Sequence, residues 1–327
     1  MLENKALIRA GMKVALVPCP ALGDTTLFLW LAWRLQAVGA QVVLASGSLF
    51  ALRDYLPGLD VIGGAKPDVP ALAERHDLVI CAIDWYVENP GSASDPALDN
   101  VAYLAGKKLP ARYQLDHRAV LLEGRPVPGG HNVICRDPKA GKTMVQWIDL
   151  YAAEVLGLDV STTPAGFQSL PDAAKDADRR VVIFPTTPHA SKNYSARGFR
   201  RLAASLVARG WLVEFVGTLP EQGALQSQYP GFIVHAFADL KGLVDYLRTC
   251  SVVISNDSGG GHLGSLLGLR TFTITRRRPD FTWRPGFNTL NQVVRPVFTF
   301  KWMGKTIWRP FIPLGRVLRE FPAVARP

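Results

Sequence analysis

The stretch from Arg248 to Arg270 restricts the fold more than any other part of the chain. Ser251 to Ser255 is a short β-branched run of the kind that forms a buried parallel strand. The residues after it, Asn256-Asp257-Ser258-Gly259-Gly260-Gly261-His262, open a new helix at Gly260 or Gly261. Strand, tight turn and helix together make an anion site. Three glycines without Cβ atoms let the backbone approach a ligand, and the free N–H groups and positive dipole end of the helix point at it. A diphosphate suits such a turn. Asp257 is placed to accept from a ribose or sugar hydroxyl, and His262, one turn into the helix, to donate to a phosphate. The same residues also permit a plainer arrangement, in which Asp257 and Ser258 cap the helix and His262 is satisfied in the core.

The rest of the chain repeats this alternation. Strand-like runs at Lys13 to Pro20, Gln41 to Ser46, Asp60 to Ile62 and Asp77 to Ile83 are separated by helical stretches at Thr25 to Val38, Leu49 to Tyr55 and Pro70 to Arg75. From Trp85 to Pro128 the pattern weakens around a basic cluster, Lys107, Lys108, Arg112, His117 and Arg118, which also suits a solvated face. Thr143 to Leu156 reads as a helix closing a first domain, and Gly157 to Arg180 as a polar linker. Strands at Val181 to Pro185, Trp211 to Gly217, Phe232 to Phe237 and Arg270 to Thr275 then restart the pattern, with a helix at Ser195 to Arg209. Such alternation predicts α/β, doubly wound parallel sheets. The expected organisation is residues 1–160, a linker at 161–180, a second domain at 181–298 and a basic, aromatic tail at 299–327. In that tail, tryptophan mixed with arginine suits either an interfacial segment on anionic lipid or a helix packed back onto the domains.

A chain of 327 residues with 48% hydrophobic and 20% charged residues has the makeup of a folded protein of two ordinary domains. The longest apolar stretch, Leu27 to Trp33, is too short to cross a bilayer, and the expected location is the cytoplasm. Cys19, Cys81, Cys135 and Cys250 match no zinc or redox spacing and are expected as buried free thiols. A net charge of +10 favours anionic partners, yet no nucleic-acid module is recognisable, so nucleic acid is not expected. Gly141-Lys142-Thr143 resembles the end of a P-loop, but Arg136 stands where that loop needs its first glycine. Asp176-Ala177-Asp178 spells a metal-binding Asp-x-Asp but precedes a strand instead of following one, and no metal is expected.

Asn256 to Gly268 resembles the donor-binding segment of glycosyltransferase family 9, the heptosyltransferases of lipopolysaccharide core synthesis. Two further anchors agree in order: Gly23-Asp24 after the first strand, and Lys192 in the loop before the helix at Ser195, with Tyr194 where the family often has Trp. The resemblance implies two Rossmann-like domains of the GT-B type facing across a cleft. It implies Asp24 as catalytic base, with Gly23, Thr25, Lys107, Lys108 and Arg112 as acceptor-side candidates. Lys192 would contact donor phosphates, Glu221 the ribose, and Asp257, Ser258, Gly259, Gly260, Gly261 and His262 the rest of the donor. The expected reaction is metal-independent, inverting transfer of a sugar, foremost heptose from ADP-heptose, to a lipopolysaccharide-type glycolipid, with no cofactor beyond the nucleotide-sugar donor. The protein would work peripherally at the anionic inner face of the cytoplasmic membrane. A nucleotide-sugar epimerase and a non-catalytic nucleotide- or polyanion-binding protein are the competing readings. The chain departs from the family at Arg276-Arg277-Arg278, which replaces an aromatic-Gly-Pro-Thr loop and adds anion-binding capacity of its own.

Overall fold

The apolar five-residue runs become the central strands of two separate parallel sheets. The computed structural model describes residues 7–64, 67–83, 98–106, 119–128, 130–168 and 179–323. The chain divides into two units, Met1–Ser169 and Leu170–Pro327.

In the first unit the strands are β1 (Lys13–Val17), β2 (Gln41–Ala45), β3 (Leu59–Ile62), β4 (Leu78–Ala82), β5 (Val101–Ala105) and, after a short β6–β7 hairpin (Leu121–Leu122, Arg125–Pro126), β8 (Asn132–Val133). They form one parallel sheet in the order β3-β2-β1-β4-β5-β8. Every residue of β4 and β5 is buried, as expected of strands covered on both faces. Among the described residues, helices α1 (Leu22–Ala37), α2 (Gly47–Phe50), α3 (Val69–Arg75) and α4 (Met144–Glu154) accompany the sheet. Helix α4 starts at a capping box in which Thr143 and Gln146 exchange side-chain bonds with each other's backbone, which is what Gly141-Lys142-Thr143 serves. The segment 161–168 lies against this unit: Arg34 donates to Thr162 O, Gln168 N–H to Tyr55 O, and Phe167 meets Trp33 edge to face.

The second unit repeats the plan. Strands β9 (Arg180–Phe184), β10 (Leu212–Val216), β11 (Val234–His235), β12 (Val252–Asn256), β13 (Arg270–Ile274) and β14 (Asn291–Val294) are all parallel, in the order β11-β10-β9-β12-β13-β14. Helices α5 (Ala196–Val207), α6 (Gln222–Gln228), α7 (Leu240–Leu247) and α8 (Gly259–Leu266) alternate with them. After β14 the tail forms a hairpin, β15 (Phe300–Trp302) and β16 (Lys305–Ile307), and then helix α9 (Leu314–Arg319). Trp308, Ile312, Val317 and Phe321 of this tail are buried in the same core as Phe199, Phe215 and Phe272. Trp308 tilts against Tyr194, and Phe321 meets Trp211 edge to face, so the far end of the tail is part of the domain's core.

Sheet order places the site. In each unit the chain runs outward in one direction from the first strand and then crosses back, so the order reverses beside that strand. Ligands of open α/β sheets bind at the carboxyl ends of strands where this reversal occurs. In the first unit the reversal lies between β1 and β4, and Gly23-Asp24 follow β1. In the second it lies between β9 and β12, which carry Lys192 and Asp257 in the segments after them.

Candidate functional site

At the reversal of the second sheet, β12 ends in Asn256 and the chain turns through Asp257 and Ser258 into α8. The helix starts at Gly259, one residue or more before the expected point. Asp257 keeps only 8% of its side chain exposed, and both Lys192 Nζ (3.5 Å) and Arg277 Nε (3.3 Å) reach its Oδ2. Two cations share one nearly buried carboxylate, which leaves a local excess of positive charge beside a helix N-terminus. An anion is the natural complement of that field.

The polar atoms around the turn are unusually unsatisfied. Ser258 occupies the N-cap position, yet its side chain makes no capping bond, and its Oγ is buried without a partner. Ser255 Oγ and His262 Nδ1 are also buried and unpartnered. Each such group costs about 1–3 kcal/mol unless something fills its valence.

The glycines at the start of α8 are required by packing inside the domain. A Cβ on Gly260 would lie 2.6 Å from the Phe184 ring, one on Gly261 2.6 Å from Ser255 Oγ, and one on Gly264 2.5 Å from Val253 Cγ2. The missing side chains make room for β9 and β12, so the helix start sits directly on the strands. Gly260 and Gly261 thus set the position of the helix on the sheet.

His262 is 5% exposed, and its Nε2 lies 3.2 Å from Trp283 O. With Nε2–H donated there, the neutral ring offers Nδ1 only as an acceptor; donation from Nδ1 to a phosphate needs the charged ring. Burial holds its pKa below the ordinary value, against the pull of Asp257. The native state therefore resists a proton that the unfolded state accepts near pH 6.5. Stability should fall as pH drops below about 6.5 and through the native value. Urea midpoints measured from pH 7.5 downward would show this slope, and His262→Gln should flatten it; an unchanged slope in the variant would remove His262 as its source.

Lys192 is held by a loop the sequence only partly revealed. It ends a 3-10 turn, Ala190–Lys192, after which Tyr194 N–H donates to Asn256 Oδ1 (2.8 Å). Asn256 Nδ2 donates to Pro185 O (2.7 Å), so one buried amide ties the loop after β9 to the strand that bears Asp257. From the tail, Arg309 donates to Asn193 O (2.6 Å) and Ala190 O (3.0 Å). Neither Asn256 nor Arg309 stands out in sequence, because each acts on backbone groups far along the chain.

Glu221 closes a second loop after β10. Its Oε2 accepts from Thr218 N–H (2.9 Å) and Thr218 Oγ1 (2.7 Å), and it also accepts a hydrogen bond from Thr186, in the segment after β9. Burial pushes its carboxyl up, but these hydrogen bonds outweigh that and leave it below the usual range, ionised at neutral pH. Of the three consecutive arginines, Arg277 reaches the turn, Arg278 pairs with Asp280 (3.2 Å), and Arg276 is exposed.

In the first unit, α1 begins at Leu22 with Ala21 at the N-cap, so Asp24 stands in the first turn and is not the cap residue. Asp24 and Gly23 are half-buried. Thr25 is fully buried, its hydroxyl donating to Cys19 O (3.0 Å), and Thr26 donates to Gly23 O (2.7 Å). Thr25 thus fixes the turn after β1 from inside. Lys107, Lys108 and Arg112, like Asp176 and Asp178, lie outside the described residues. Among the described residues, no three His, Cys, Asp or Glu side chains converge, and no helix is long and apolar enough to cross a membrane. All four cysteines are buried and in no disulfide.

The family model described as glycosyltransferase family 9 (heptosyltransferase) matches residues 132–295. No curated protein matches the sequence. Among solved structures, a family 9 glycosyl transferase from Veillonella parvula is similar at 15% identity, covering 96% of this chain and 97% of that one, with a TM-score of 0.68. The E. coli heptosyltransferase WaaC, solved with ADP, is similar at 17% identity over 94% of this chain and 98% of its own, with a TM-score of 0.62. E. coli ADP-heptose lps heptosyltransferase II is similar at 16% identity over 94% and 97%, with a TM-score of 0.58. These likenesses carry the α/β fold of GT-B heptosyltransferase structures onto this chain.

Proposed function

Because the chain belongs to glycosyltransferase family 9 and is a glycosyltransferase, we propose that it transfers a sugar from a nucleoside diphosphate to a glycolipid hydroxyl, with inversion and without a metal ion. Heptose from ADP-heptose is the leading donor, since the similar WaaC structure holds ADP. The acceptor is a lipopolysaccharide or related glycolipid, met at the anionic inner face of the cytoplasmic membrane. The observation that carries the reading is the pairing of Lys192 and Arg277 on Asp257 beside the N-terminus of α8.

The chemistry follows from charge. Breaking the bond from the anomeric carbon to the diphosphate leaves negative charge on the departing oxygens, and groups already aimed at that charge lower the barrier. Lys192, Arg277 and the first N–H groups of α8 supply them without a cation from solution. The carboxylates of Asp257 and Glu221, as acceptors, suit hydroxyls of the ribose or sugar. Asp24 takes the proton of the acceptor hydroxyl as it attacks, and the carbon inverts because the nucleophile enters opposite the leaving diphosphate.

Calorimetric titration with ADP, UDP, GDP and their sugar conjugates tests this. Lys192→Ala should weaken the preferred nucleotide by roughly 10- to 100-fold, the range of one hydrogen bond to a charged group. Selective ADP binding supports heptose, whereas a UDP or GDP preference keeps the transferase and replaces the sugar. Undiminished binding by the variant would remove Lys192 from the donor site.

A further inference from the structure

Residues 297–303 hold five of the twelve large hydrophobic side chains that stand exposed among the described residues: Val297, Phe298, Phe300, Trp302 and Met303. Singly scattered apolar groups are ordinary on a surface, but five within seven residues are not. Phe298, Phe300 and Phe311 pack ring to ring at the base of the β15–β16 hairpin, and Trp302 (64% exposed) and Met303 (87% exposed) form its tip.

The tip is also strained. Met303 and Gly304 are the two residues between the strands, and both have positive φ, +45° and +74°. A two-residue hairpin turn of this kind favours Asn, Asp or Gly at both places. Met at the first place costs backbone energy, and with its side chain almost wholly in solvent it returns nothing to the fold. A side chain kept where folding disfavours it points to a use outside the fold.

Charge indicates which surface it meets. Between Asp280 and Glu320 the chain has seven Lys and Arg residues and no acid. Exposed Lys301 and Lys305 flank the tip, and in the ladder Lys305 stands opposite Trp302. Tryptophan and other large apolar groups beside lysines partition into the boundary between lipid headgroups and chains, with the ammonium groups on anionic headgroups. The hairpin is rooted by buried Trp308 and Ile312 and by the Arg309 bonds to the Lys192 loop.

We propose that the β15–β16 hairpin is a membrane-docking element that inserts Trp302 and Met303 into the interface of an anionic bilayer, with Lys301 and Lys305 on its headgroups. This rests on the reading above that the acceptor lies at such a membrane. Flotation with vesicles of phosphatidylcholine alone and of phosphatidylcholine with phosphatidylglycerol tests it. The protein should float with the anionic vesicles, less at high salt, and Trp302→Ala with Met303→Ser should lower the bound fraction by roughly tenfold while keeping nucleotide affinity and unfolding temperature. Lys192→Ala should bind nucleotide more weakly and still float, so the docking and the donor reading fail separately. Equal flotation of the double variant overturns the proposal. So does a concentration-dependent dimer in sedimentation velocity that the double variant abolishes without vesicle binding, since the patch would then cover a second copy.

Discussion

Asp24→Asn should lower the rate of sugar transfer by about 10²–10⁴-fold, the usual contribution of a positioned general base. Affinity for the nucleotide should stay unchanged, because the donor-side groups Lys192, Asp257 and Arg277 belong to the other unit. The substitution keeps size and shape and removes the ionisable oxygen. Ala21, and not Asp24, occupies the N-cap of α1. A first-turn acid is also attracted to the helix dipole, by about 0.3–1 kcal/mol. A large fall in kcat with a small change in unfolding temperature would identify a base. Full activity in the variant would end that assignment, whatever happened to stability.

Gly264→Val should destabilise the second unit by about 3 kcal/mol, more than the usual point substitution. Even one methyl at this position meets Val253 Cγ2 at 2.5 Å and Cβ at 3.1 Å, and Val253 is wholly buried in the middle strand of the sheet. Replacing a helical glycine normally helps by up to about 1 kcal/mol through backbone entropy, so the clash must and does dominate. A matched control is Gly223→Ala in α6, where an added Cβ meets nothing within 4 Å. That change should be neutral or stabilising. Thermal unfolding of the three proteins would decide, and a stable Gly264→Val would show that α8 can shift away from β12.

Much of this architecture is legible in sequence because parallel strands covered on both faces must be short apolar runs. Val181 to Pro185, Trp211 to Gly217 and Ser251 to Ser255 each lie within one or two residues of the observed β9, β10 and β12. Strand β5, Val101–Ala105, is as apolar as its neighbours, yet it sits in a stretch whose prolines, glycines and basic residues hide the period. Strand β14, with Asn291 and Gln292, has an edge position in the sheet and too little apolar character to be seen. The hairpin is invisible for another reason: Met303-Gly304 is not the turn pair that its geometry prefers. In the site, Asp257 stands out because it follows a readable strand, whereas Lys192, eight residues past β9, stands out only through the family resemblance. Asn256 and Arg309 take their meaning from contacts across tens of residues, which spacing cannot convey.

Helix α8 rests on the strands with no room for even a methyl group at Gly260, Gly261 or Gly264. A support this tight tolerates change in its surroundings. Loops can lengthen, shorten or alter in charge around it while the amides at its start keep their aim. On the function proposed above, recognition of a particular donor is therefore free to vary through positions such as Arg276, Arg278 and Asp280, provided that Arg277 keeps its place on Asp257. An engineer wishing to redirect the enzyme to another sugar should randomise those positions and leave Arg277 and the helix alone.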